Sequence, residues 1–157
     1  MEFKKNLNTI NENEFTTIFG SIFEKSEWIA KEAFKQKPFK NPNDLINKMI
    51  KIYDECSPDQ IIAIFNLHPK LAIEKKLSSH STKEQSEAKL DKCSKEELKE
   101  FDQLNSDYEK KFQFPFIIAV KGKNKNEILK NFRTRIKNDY EIELQEAKKQ
   151  VMKIALF

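Results

Sequence analysis

Few side chains in this sequence could move a proton or hold a ligand, and they cluster in the middle of the chain. There are two histidines, His68 and His80. His68 stands in "NLHPKLA" (66–72), directly after the apolar run "QIIAIF". An unperturbed imidazole titrates at about pH 6.5, so a positioned His can give or take a proton near neutrality. A His at a helix end can equally be structural, held by the helix dipole and local hydrogen bonds. From pattern alone both readings stand. His80 lies in a polar, Ser-rich stretch and reads as a solvated side chain. It is followed by Ser81, Thr82, Lys83, Glu84 and Gln85. Here S-x-x-E is first of all a helix capping box. The same helix start would also present a hydroxyl, a carboxylate and free N–H groups to a polar ligand.

Other chemistries are poorly served. Cys56 and Cys93 are far apart, with no C-x-x-C and no His at ligand spacing, as for two reduced thiols. There is no Gly-rich phosphate loop, no H-E-x-x-H and no zinc spacing, so no metal site is expected. The net charge is +4, and all but two of the 29 basic residues are Lys; the exceptions are Arg133 and Arg135. Lys and Glu alternate instead of forming a basic stripe, which argues against nucleic acid as a partner. No apolar run is long enough to span a membrane. The first residues lack the apolar core of a signal peptide. A soluble, cytoplasmic protein is expected.

The elements that must position these residues read as helices. With 13 Phe but only 2 Gly and 5 Pro among 157 residues, an all-α single domain over 1–157 is expected. Seven to eight helices would form a bundle. Apolar spacing predicts a first helix from Glu12 to Phe23, with Phe15, Ile18, Phe19 and Ile22 inward. A second spans Ser26 to Gln36 and buries Trp28, Ile29 and Ala33. A third starts after Pro42 and ends near Cys56. Ser57-Pro58-Asp59-Gln60 opens a fourth, which Pro69 should stop by His68. Ser94 with Glu97 opens a long helix carrying Leu98, Phe101, Leu104 and Tyr108. Two more follow, through Ile128, Leu129, Phe132 and Ile136, then Leu144, Ala147, Val151 and Ile154. The charge-rich "KCSKEELKE" and "ELQEAKKQVMK" read as solvated faces. One short segment near 114–120, in "FQFPFIIAVKGK", is apolar and β-branched and should be extended. Its backbone N–H and C=O groups need partners, which makes it a place for a ligand to dock.

Taken together and in order, five stretches resemble the 2-oxo-4-hydroxy-4-carboxy-5-ureidoimidazoline (OHCU) decarboxylase family. They are "FGSIFEKSEWIAKEAF" (19–34), "HPKLA" (68–72), "STKEQ" (81–85), "LNSDYEKKFQFPFIIAVKGK" (104–123) and "VMKIALF" (151–157). The resemblance implies an all-α fold, a homodimer, no metal or organic cofactor, and conversion of a small ureidoimidazoline to (S)-allantoin in urate degradation. It places the family's catalytic His on His68 and its acidic site residue on Glu84. Substrate contacts fall on Pro69, Ser81, Thr82, Lys83, Glu84 and Gln85. They continue on the backbone of Phe116, Ile117, Ile118, Ala119 and Val120.

The sequence departs from the family's habit at Glu27, Lys70, Lys89 and Gln113, none of them assigned to chemistry. Gln113 stands where Gly is frequent before "FPF". Family members usually carry a substrate-binding Arg just past a segment like "KIALF", where this sequence stops at Phe157. Neither Arg133 nor Arg135 matches that position. The alternative reading is therefore a catalytically inert or altered binding module on the same fold.

Overall fold

The computed structural model describes residues 7–69, 71 and 94–156, and among them every regular element is a helix. The chain divides into two compact units, with the division at Leu67 and His68.

The first unit holds α1 (Glu12–Phe19), α2 (Trp28–Phe34), α3 (Pro42–Asp54) and α4 (Pro58–Asn66). Each start except that of α2 is capped by a short polar side chain. Asn11 accepts from the N–H of Glu14, and Asn41 accepts from that of Asp44. Ser57 and Gln60 exchange the two bonds of the expected capping box, with Pro58 opening the helix. The core of the unit is aromatic. The Phe15 ring meets Phe19, Phe34 and Phe39 at centroid distances of 4.8, 5.3 and 5.8 Å. Asn8 clamps Phe39 through both backbone groups, at 3.0 and 2.7 Å.

Three expectations are corrected here. Helix α1 stops at Phe19, not Phe23: a Cβ on Gly20 would collide with the Thr16 carbonyl, and the chain turns at that close approach. Its buried face is Phe15 and Phe19, which leaves Ile18 49% exposed. Helix α2 is shorter than expected at both ends, and Trp28, at its first turn, is only half-buried while Ile29, Ala30 and Ala33 are fully buried.

The second unit holds α5 (Lys95–Phe112), α6 (Lys125–Arg135) and α7 (Tyr140–Ala155). The Ser94–Glu97 capping box opens α5 as expected. Leu98, on its first turn, is 37% exposed and not part of the inward face. Helix α5 ends in a left-handed residue, Gln113, at φ +64°. A glycine would adopt that conformation without strain. Gln113 offsets the cost with its side chain, whose Nε2 donates to the carbonyls of Lys110 (2.9 Å) and Glu109 (3.3 Å) at the helix end. That is a physical account of the Gly-to-Gln departure. Residues 115–120 then form neither helix nor strand, in keeping with the extended stretch expected there.

Candidate active site

Helix α4 ends at Asn66, so His68 follows it by two residues and precedes Pro69, as the X-Pro restriction requires. His68 is not a solvated helix end: only 8% of it is exposed, while Leu67 beside it is 40% exposed. Pro69 is half-buried. Further along, Leu71 is buried, and its carbonyl accepts from Asn105 Nδ2 at 3.2 Å. Asn105 is the Asn of "LNSDY", 3% exposed and on the inner face of α5. That bond ties the backbone just past His68 to a helix, a fixed support for a loop residue.

One turn later on α5, the same face presents Tyr108. Its hydroxyl donates to Glu143 Oε1 at 2.6 Å, and Glu143 is fully buried on α7. Arg135, at the end of α6, donates to the same oxygen from Nε at 2.7 Å and is itself 5% exposed. Asn138 Nδ2 donates to the other carboxylate oxygen at 3.0 Å. A buried ion pair persists only when hydrogen bonds satisfy both partners, and here both carboxylate oxygens are engaged. Burial and the hydrogen bond to Glu143 push the Tyr108 hydroxyl well above its ordinary pKa, so it stays protonated as the donor.

The network ends on the segment 114–120. Arg135 Nη1 donates to the carbonyl of Ile117 at 2.7 Å, and its guanidinium lies 4.4 Å from the Phe116 ring centroid. Phe116 stacks on Phe132 at 3.8 Å. From α7, Gln150 Oε1 accepts from the N–H of Ala119 at 3.0 Å. Lys123 Nζ donates to the Ala119 carbonyl at 3.1 Å. The side chains of Phe116, Ile117, Ile118, Ala119 and Val120 are all buried.

Glu143, Gln150 and Arg135 have no site role in the sequence alone. Glu143 and Gln150 lie in "ELQEAKKQVMK", expected to be a solvated face; both are buried, which corrects that expectation. The available signal is their spacing, seven apart around the buried Ala147, on one stripe of α7. Arg135 had a compositional signal, being one of two Arg in a Lys-rich chain. Its fork reaches a carboxylate and a carbonyl together, which a Lys point charge does not. Arg133 instead pairs with Glu100 at the surface, with Nε donating at 2.6 Å.

Ser81, Thr82, Lys83, Glu84 and Gln85 lie outside the described residues, as do His80 and Cys93. Among the described residues, no three His, Cys, Asp or Glu side chains are grouped to hold a metal ion. No helix among them is long and apolar enough to cross a membrane.

The pattern that defines OHCU decarboxylases matches residues 8–157. The chain belongs to the OHCU decarboxylase family. It is 35% identical to a uric acid degradation bifunctional protein of Bacillus sp. (strain TB-90), a match covering 98% of this chain and 30% of that protein. A bifunctional relative from Bacillus subtilis (strain 168) is 37% identical, and the match covers 31% of it. The chain thus spans about a third of the length of those two relatives. It is also 30% identical to an OHCU decarboxylase of Haloferax volcanii, over 95% of this chain and 89% of that one. The fold is similar to a crystal structure of OHCU decarboxylase in the presence of (S)-allantoin. That match has a TM-score of 0.72 and 27% identity, covering 92% of this chain and 93% of the other.

Proposed function

We propose that this chain decarboxylates 2-oxo-4-hydroxy-4-carboxy-5-ureidoimidazoline to (S)-allantoin, as a single decarboxylase-like domain over 1–157. The observation that carries the reading is the family match over residues 8–157, joined to a buried His68 in "HPKLA". The inert binding module finds no support among the relatives matched. One of them is described as an OHCU decarboxylase, with the chain spanning 89% of it.

The chemistry asks little of a protein. The substrate's carboxylate sits on a ring carbon next to a C=N bond. When that carbon–carboxylate bond breaks, CO₂ leaves and the electron pair moves into the ring, ending on the ring nitrogen. A proton then adds to the ureido-bearing carbon while the hydroxyl proton is lost and the ring nitrogen gains one, a net uptake of one proton, so that the hydroxyl-bearing carbon becomes the carbonyl of allantoin. The substrate supplies its own electron sink, the role a cofactor such as pyridoxal phosphate fills elsewhere. The site must hold the carboxylate out of the ring plane, exclude water and deliver one proton from one face.

His68 is the proposed general acid/base. Pro69 ends the helix so that the imidazole faces the substrate. Glu84 and Gln85 would anchor the ureido N–H and carbonyl groups, Ser81 would donate to an oxygen, and Thr82 and Lys83 would border the ligand. The backbone of Phe116 to Val120 would close the other wall. A cytoplasmic homodimer acting without metal or organic cofactor completes the proposal.

The test is to generate the unstable substrate from urate in situ and follow allantoin by circular dichroism. Formation of the (S) product faster than the spontaneous rate is expected. A chain that leaves that rate unchanged sinks the proposal.

A further inference from the structure

The buried segment 114–120 is gripped at its peptide groups by the side chains of Arg135, Gln150 and Lys123, which have no assigned role, and the geometry of the first two grips has a consequence. Arg135 takes the Ile117 carbonyl and Gln150 takes the Ala119 N–H. The peptide bonds here are trans, and in a planar trans peptide the C=O and the N–H point in opposite directions. Holding the Ile117 carbonyl therefore fixes where the Ile118 N–H points. Holding the Ala119 N–H fixes where the Ile118 carbonyl points. Among the described residues, neither of these two Ile118 groups has a protein hydrogen-bond partner, although Ile118 is 5% exposed. Buried backbone groups are rarely left unmatched.

We infer that Arg135 and Gln150 are positioning residues that hold the donor and the acceptor of Ile118 at a fixed aim for an amide-like N–H and C=O of the bound ureide. The inference rests on the proposed decarboxylase reading and deepens it. Neither side chain need touch the substrate. Each is preorganised by a further partner: Arg135 by Glu143, and Gln150 by Glu146, whose carboxylate accepts from Gln150 Nε2 at 2.8 Å. Because the two grips come from different helices, α6 and α7, each should matter by itself. The grips set ground-state docking and leave the proton step alone, so their loss should raise KM more than it lowers kcat.

The experiment compares wild-type protein with Gln150→Leu, and with the double swap Gln150→Glu, Glu146→Gln. The swap keeps an acceptor for the Ala119 N–H and reverses the Gln150–Glu146 bond. Each is assayed for (S)-allantoin formation and for binding of (S)-allantoin itself, with helicity recorded alongside. Gln150→Leu should raise KM and weaken (S)-allantoin binding about tenfold, with kcat within about threefold and the kcat pH profile unmoved; the swap should restore both. Arg135→Lys serves as a second variant should Gln150→Leu not fold, because Lys keeps the charge beside Glu143 without the fork; the same KM rise is expected.

A folded Gln150→Leu or Arg135→Lys protein with unchanged KM and unchanged allantoin binding overturns the positioning role while leaving the decarboxylase reading intact. A wild-type chain that does not accelerate the reaction overturns both.

Discussion

Asn105 Nδ2 donates to the carbonyl of Leu71 at 3.2 Å, binding the inner face of α5 to the backbone three residues past His68. The loop that carries the only described histidine is therefore referenced to the same helix turn whose Tyr108 begins the Glu143–Arg135 network. Replacing Asn105 by Leu keeps the volume roughly constant and removes the donor. Loss of a buried hydrogen bond that leaves a carbonyl unmatched costs about 1–3 kcal/mol. Chemical denaturation should show that loss, and decarboxylase turnover should fall along with it.

His68→Ala should separate fold from chemistry. General acid/base catalysis contributes about 10²–10⁴-fold, so the acceleration should drop by that order. The far-ultraviolet helical signal should be retained. A fully active His68→Ala protein would end the proton-transfer role.

Within the buried network, losing the Tyr108 donor and losing the Glu143 carboxylate itself should differ in weight. Tyr108→Phe removes one donor and leaves the carboxylate with Arg135 and Asn138, a loss of about 1.5–3 kcal/mol expected for a hydrogen bond to a charged group. Glu143→Ala leaves the guanidinium of Arg135 buried without its counter-charge, a change of about 3–5 kcal/mol. Urea midpoints of the two variants should fall in that order.

Alkaline pH should test the buried phenols. Burial lifts the hydroxyls of Tyr53 and Tyr108 well above the ordinary tyrosine value, and the hydrogen bond to Glu143 adds to the effect at Tyr108. A group whose pKa is raised on folding contributes stability below its unfolded pKa and loses it as pH rises beyond that value. Stability should therefore decline from about pH 10 upward, where an unfolded tyrosine ionises. Absorbance at 295 nm should show two of the three phenols ionising together with the loss of helicity, not before it.

Much of the fold is legible in local chemistry. Asn11, Asn41, Ser57 and Ser94 sit where a short polar side chain can satisfy a helix start, and three of those starts were expected from Pro42, Ser57 and Ser94 alone. Phe15, Phe19, Phe65, Phe101 and Phe132 recur at helical spacing and are all buried. These are short-range facts: a cap needs a partner three residues on, and an apolar stripe needs only its own period. The end of α1 was misjudged because the limit at Gly20 is a close approach of the turning backbone to Thr16, which apolar spacing does not register.

By itself, then, the sequence determined an all-helical chain, a break before His68 and an apolar segment unlike its neighbours. Ordered motifs also pointed to the family. Only the tertiary structure decided which charges go inside. Glu143 and Arg135 are eight residues apart and look like any solvated pair on a Lys- and Glu-rich surface. They become a buried pair because Tyr108, 35 positions before Glu143, and the Ile117 carbonyl, 18 before Arg135, converge on them. Burying a charge is tolerable only where several distant partners meet it at once, and that convergence has no signature in any one stretch of sequence.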